Sequence, residues 1–175
     1  MTVVHTTPAT RPARSDGRLG QRLQRMHRQW LAELRATFGE SNATDAGIWP
    51  RWRAIRHVDT VFSGQFDRER STIESLGPTI GPAHVNHLWV AGELVSMLRW
   101  QLCQSVGLCH HGAEFAVITA KLLRAVEYWF AAVEELVGPL RWDDVPAQVR
   151  QNLASLDIET APTWSELPVS LVTSL

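Results

Sequence analysis

Apolar residues recur at steps of three and four along most of the chain, which is the spacing of one face of an α-helix. The pattern predicts five helices, over residues 18–38, 51–62, 66–76, 83–106 and 112–137. A sixth, shorter helix is predicted over residues 147–156. No segment alternates apolar and polar residues at the period of two that a half-buried strand requires. The predicted fold class is therefore all-α.

Glycine and proline mark the expected ends of these helices. Gly39 is expected to end the first helix. Pro50 suits the first turn of the second helix, where its missing N–H is not needed. Ser63-Gly64 is expected to break the chain between the second and third helices, and Gly138-Pro139 to end the last long helix.

The last two long helices are apolar over more than one face. In residues 112–137 the charged side chains leave a broad arc that apolar residues occupy: Phe115, Ile118, Leu122, Val126, Trp129, Phe130, Val133 and Leu136. Residues 83–106 show similar breadth. Because a surface helix needs only one apolar stripe, this breadth indicates burial on two sides. The second side is expected to face a large cofactor or a partner subunit.

Composition narrows the class of protein. The net charge of −1 and the apolar fraction of 45% fit one domain with a full-sized core and give no reason to expect a nucleic-acid partner. No apolar run of membrane-spanning length and no signal peptide is present, so no membrane partner and a cytoplasmic location are expected. Residues 1–16, rich in Thr, Pro and Arg, are predicted to form a short disordered basic arm. A helical domain over 17–140 and a C-terminal extension over 141–175 follow.

Histidine and cysteine are the candidate metal ligands. Cys103 and Cys109 fit no zinc or redox spacing and are expected to be small apolar fillers. His84 and His87 stand three residues apart, but no Glu-x-x-His motif accompanies them, which disfavours a carboxylate-bundle metal site. His84 opens a long helix directly after a Gly-Pro corner and faces apolar residues. That position is open to a buried core histidine or to a cofactor ligand.

Two stretches of the chain resemble a known family. Residues 56–67, RHVDTVFSGQFD, followed by residues 80–85, IGPAHV, are similar to the matching region of the globin-coupled sensors and protoglobins. In that family a Phe-small-Gly corner precedes an Ile-Gly-x-x-His motif whose histidine is the proximal haem ligand. The similarity extends over roughly residues 22–137, about two-thirds of the chain.

The resemblance implies a globin-like helical fold that binds haem b, with His84 as the ligand of the iron. Such a histidine also needs an acceptor for its second ring N–H, and backbone carbonyls around Ile80-Gly81 are expected to supply one. The other residues that the resemblance places around haem are Trp30 and Leu31 on the distal side, Trp52 and Arg53 on the distal helix, and Phe62, Ile80, Leu94 and Trp129.

The resemblance also implies a function. It predicts a sensor of a diatomic gas (oxygen, nitric oxide or carbon monoxide) or of redox state, with a homodimer formed through the last two long helices. No signalling domain fits after residue 137, so a separate signalling partner is expected. Two alternatives stay open: haem chemistry of its own, as a nitric oxide dioxygenase or peroxidase-like enzyme, or a haem-free regulatory module. Trp30-Leu31 stand where the family usually has a distal tyrosine, which disfavours enzymatic activity.

Overall fold

The computed structural model describes residues 19–156, and the elements in this range are all helical. The helices are α1 (Leu19–Ser41), α2 (Ile48–His57), α3 (Ser63–Glu74), α4 (Gly77–Ile80), α5 (Pro82–Gln104), α6 (Gly112–Val137) and α7 (Ala147–Ala154). A π-helical turn, Val58–Phe62, joins α2 to α3, and short 3₁₀ turns lie at Val106–His110 and Trp142–Asp144. The predicted all-α class is confirmed. The predicted arm over residues 1–16 lies outside the described residues.

The apolar stripe predicted for the first helix lies in the core. Leu23, Trp30, Leu34 and Phe38 of α1 are all buried. The prediction that Gly39 ends this helix was wrong, because α1 continues to Ser41. One more turn forms because Ser41 is itself buried and its hydroxyl donates to the Phe38 carbonyl at 3.1 Å.

The predicted break at Ser63-Gly64 was also wrong, since the helical chain runs from Ile48 to Glu74 without interruption. The π-helical turn in the middle has a wider ring of hydrogen bonds than an α-helix. The Ser63 hydroxyl donates back to the Val58 carbonyl at 2.6 Å and remains within the helix. Phe62 and Phe66 are buried on either side of the pair. Packing of these rings therefore overrides the weak helix propensity of serine and glycine.

Helices α5 and α6 pack against each other along their lengths, and α1 packs on α6. Large aromatic side chains fill the space between these helices and α3. Phe66 lies 5.5 Å from Trp129 in an edge-to-face pair and 5.7 Å from Phe62, measured between ring centroids. Trp30 lies 6.0 Å from Phe130. The core is thus an aromatic cluster shared by α1, α3, α6 and the π-helical turn.

Part of the predicted C-terminal extension belongs to this core. Val145, Val149, Leu153 and Leu156 are buried, and α7 packs on α3. Residues 157–175 of the extension lie outside the described residues.

The start of α1 meets the end of α6 at backbone distance. The Leu19 N–H donates to the Leu140 carbonyl at 2.9 Å, and the Gly20 N–H donates to the Gly138 carbonyl at 3.1 Å. A Cβ atom built on Gly20 would lie 2.9 Å from both the Cα and the carbonyl oxygen of Gly138. This crossing therefore requires glycine at position 20.

Replacing Gly20 by alanine is expected to lower the free energy of unfolding by about 1–3 kcal/mol, because backbone atoms cannot yield as a flexible side chain does. Gly39→Ala is the matched control on the same helix, since nothing lies within 4 Å of the added Cβ. It should raise the free energy of unfolding by about 0.5–1 kcal/mol. Urea denaturation measures both variants, and equal effects would contradict the close crossing.

Candidate functional site

His84, the expected haem ligand, lies in the first turn of α5 with its side chain exposed. It makes no side-chain hydrogen bond or ion pair with any residue from 19 to 156. The preceding Gly81 has a φ of 90°, a conformation that favours glycine and allows the chain to turn sharply into α5. The Gly81 carbonyl accepts the Val85 N–H at 3.2 Å. This carbonyl, one of those expected to hold the imidazole, is therefore already used within the helix.

The other residues expected around haem fall into three groups that differ in solvent exposure. Trp30, Phe62 and Trp129 are buried in the aromatic core. Leu31, Trp52 and Ile80 are partly buried against it. Arg53 and Leu94 are exposed, and the Arg53 guanidinium donates to the Glu40 carboxylate at 2.8 Å.

As placed in residues 19–156, this set does not fit a haem. Trp30, Phe62 and Trp129 belong to a core in which ring packs against ring, whereas His84 lies on the surface. A haem site needs a slot with the proximal histidine at its edge and a partner for the second ring nitrogen. The described residues supply neither the slot nor the partner for the second ring nitrogen. Haem binding stays a prediction.

Three titratable side chains meet where three helices join: the buried His27 of α1, the buried Glu69 of α3 and Glu134 of α6, which is 26% exposed. The His27 Nε2 atom donates to Glu69, and its Nδ1 atom donates to Glu134 Oε1 at 2.8 Å. His27 and Glu69 are only 1% and 0% exposed. The imidazole also stacks on Phe130 with 3.8 Å between ring centroids. We refer to His27, Glu69 and Glu134 as the ion triad.

The surroundings of His27 favour its charged form. Burial lowers the pKa of the ring, because it removes water from the cation. The negative charge of Glu69 and the hydrogen bonds to both carboxylates outweigh burial and raise the pKa from 6.5 to about 9. The ring is therefore an imidazolium at neutral pH. Glu69 Oε2 is buried without a hydrogen-bond partner in the described part of the chain.

The pattern of the sequence does not predict the ion triad, and it indicates no role for His27. The available signal is positional, since His27 stands four residues after Leu23 and three before Trp30, within the buried stripe of α1. A buried histidine in such a stripe needs polar partners, but sequence spacing does not reveal that Glu69 and Glu134 supply them. Among residues 19–156 no group of three or more His, Cys, Asp or Glu side chains is arranged to hold a metal ion. The triad is thus an ion pair network that joins three helices.

A second feature lies on the surface. The outer side of α5 carries large apolar side chains that are between 41% and 64% exposed: Trp89, Val90, Leu94, Met97 and Trp100. Their spacing places them on one side of the helix, which we call the α5 face. The only carboxylate of α5, Glu93, accepts a hydrogen bond from Arg70 at 2.7 Å. Beside the face, the Tyr128 hydroxyl of α6 lies 3.1 Å from His87 Nε2.

The ion triad predicts that the free energy of unfolding falls as the pH rises above neutrality. The His27 pKa is about 9 in the folded protein and 6.5 in the unfolded chain, so the stabilisation is complete below pH 6.5 and is lost as the pH rises through about 9. The free energy of unfolding should fall by on the order of 3 kcal/mol over this range. Urea denaturation at a series of pH values measures the slope.

The matched control is His110→Gln, which replaces an exposed histidine and should leave the slope unchanged. His27→Gln should abolish it. If that variant does not fold, NMR titration of the His27 ring in the natural chain gives the folded-state pKa directly. A value near 6.5 would contradict the triad.

None of the described helices is both long and apolar enough to cross a membrane. Comparison with known proteins finds no matching family model. It also finds no matching curated protein and no matching solved structure.

Proposed function

We propose that this protein is a regulatory module of globin-like architecture that pairs with a second copy of itself through the α5 face and works without haem. The observation that carries the proposal is the exposure of Trp89, Leu94, Met97 and Trp100 on one side of a long core helix. A contiguous exposed apolar patch on a folded domain marks an interaction site. Tryptophan is also among the residues that contribute most to protein interfaces.

A second copy is the partner that this face suits. A two-fold interface places the same patch against itself, so a patch with unbalanced charge of one sign would repel its own copy. The carboxylate of Glu93 pairs with Arg70 at 2.7 Å, which also pairs with Glu74 at 2.8 Å, and the five apolar side chains of the α5 face carry no charge. The dimer would present a joined surface to a separate signalling protein, and a shift of α5 against α6 would transmit a signal between the subunits.

The packing of the core supports a haem-free module. The core includes three of the residues expected around haem: Trp30, Leu31 and Trp129. Trp30 packs on Phe130, and Trp129 packs on Phe66. Native cores at this density do not open a large slot without rearrangement. The ion triad lies in the same region, since His27 stacks on Phe130.

A haem-binding gas or redox sensor is the second candidate. The observation that favours it is the turn at Gly81, where a φ of 90° leads the chain into α5 and places His84 in the first turn of that helix. Haem held there would require the start of α5 to move toward the core. The enzymatic alternatives lack a comparable observation in the described residues.

Trp100→Glu is expected to weaken self-association at least tenfold, because it places a carboxylate within an apolar interface. Light scattering coupled to size-exclusion chromatography, over a range of protein concentrations, measures the oligomeric state. Trp49→Glu is the control, since Trp49 is 72% exposed on α2 and is not one of the residues of the α5 face. A natural chain that is monomeric at the highest concentration would contradict the proposal.

The absorption spectrum of the purified protein tests the cofactor. The proposal predicts no Soret band after expression with added haem precursor, and no saturable change when hemin is titrated into the protein. A Soret band that is lost in His84→Ala, but retained in His87→Ala, would establish the second candidate instead. Self-association is measured separately, so the two parts of the proposal can fail independently.

A further inference from the structure

A cleft of about 150 Å³ lies between α1, the 3₁₀ turn at Trp142 and the end of α7. Its floor is apolar, formed by the buried side chains of Leu19, Leu23, Met26 and Leu153. Trp142 forms a wall. An apolar cavity of about this volume accommodates a benzene molecule. The cleft therefore suits a single aromatic ring.

The polar groups at the rim are cationic or neutral. Arg22, Arg25 and Gln29 line the cleft, and no acidic side chain from residues 19–156 does. They recur at steps of three and four along α1, so they lie on one side of the helix. The two guanidinium groups thus share the opening of a cleft whose floor is apolar and whose rim is polar.

Arg22 and Arg25 are two of the seven arginines in residues 19–156 that pair with no carboxylate in that range. Six arginines there pair with carboxylates: Arg35, Arg53, Arg56, Arg70, Arg99 and Arg150. Arg22 and Arg25 have no carboxylate within ion-pair distance in the same range. Two neighbouring cations without a counter-charge repel each other, and an anion between them relieves that repulsion.

The position of Arg22 favours a planar anion. Its guanidinium carbon lies 4.0 Å above the centroid of the Trp142 ring. Stacking uses the flat face of the guanidinium and leaves the N–H donors at its edge available. Edge donors of this kind bind a carboxylate through two parallel hydrogen bonds.

We infer that the cleft is a binding site for a small aromatic carboxylate. The ring occupies the apolar floor beside Trp142, and the carboxylate accepts hydrogen bonds from Arg22 and Arg25. The Gln29 amide supplies a further donor at the rim. The site is separate from the α5 face, so this inference does not depend on self-association or on the absence of haem.

Titration of the full-length protein with sodium phenylacetate, followed by two-dimensional NMR, tests the inference. Saturable shifts are expected at the Trp142 indole N–H and the Met26 methyl group. Arg22→Gln and Arg25→Gln should each weaken binding about ten- to hundredfold, as expected for loss of a charge-assisted hydrogen bond. Arg28→Gln is the control, because Arg28 does not line the cleft and donates instead to the Gln24 carbonyl. It should change the affinity less than twofold.

The neutral analogue phenylacetamide separates charge from shape and should bind the natural chain at least tenfold more weakly than phenylacetate. Absence of saturable binding, equal affinity for the two compounds, or shifts centred elsewhere would overturn the inference. The variant D157N/E159Q/E166Q removes the acidic groups that follow α7 in the sequence. Binding seen only in this variant would mean that the chain's own acidic residues occupy the cleft, which also overturns it.

Discussion

The fold depends on one buried charge arrangement, in which the imidazolium of His27 is held between the carboxylates of Glu69 and Glu134. Burying a charge is costly unless partners surround it, and removing one partner leaves the others uncompensated. The three residues come from α1, α3 and α6, so their pairing is satisfied only when particular faces of these helices meet. Nonspecific burial of the apolar stripes would tolerate several alignments. We expect the triad to favour the one alignment in which all three side chains meet.

The two long helices, α5 and α6, bury their broad apolar surfaces to different extents. The sequence indicates burial on two sides for both α5 and α6, by a cofactor or a subunit. In α6 one side packs on α5 and the other on α1, although Val117 and Tyr128 remain about half exposed. In α5 the outer side, with Trp89 and Trp100, faces solvent. Most of the exposed apolar surface of these two helices thus belongs to α5, and the proposed self-association would cover it.

Local periodicity predicts much of this architecture but not its core chemistry. The bounds of α6 agree with the prediction, because its apolar arc is long and Gly138-Pro139 terminates it. Ser63-Gly64 was misinterpreted as a break, because tertiary packing of Phe62 and Phe66 decides that segment. His27 could not be assigned a role, since its partners lie 42 and 107 residues away in the sequence. Contacts at such separations leave no periodic signal.

The π-helical turn at Val58–Phe62 has a geometric consequence for the core. Such a turn accommodates an extra residue, and each residue of a helix rotates the following side chains by about 100°. The turn that accommodates the inserted residue therefore determines the direction in which the side chains of Phe66 and Glu69 point from α3. A straight α-helical continuation from Ile48 would direct Glu69 away from α1, whatever its sequence. The π-helical turn absorbs one residue without changing the direction of the side chains that follow, so deletion of one residue within it should leave a regular α-helix in which Phe66 and Glu69 still face the core.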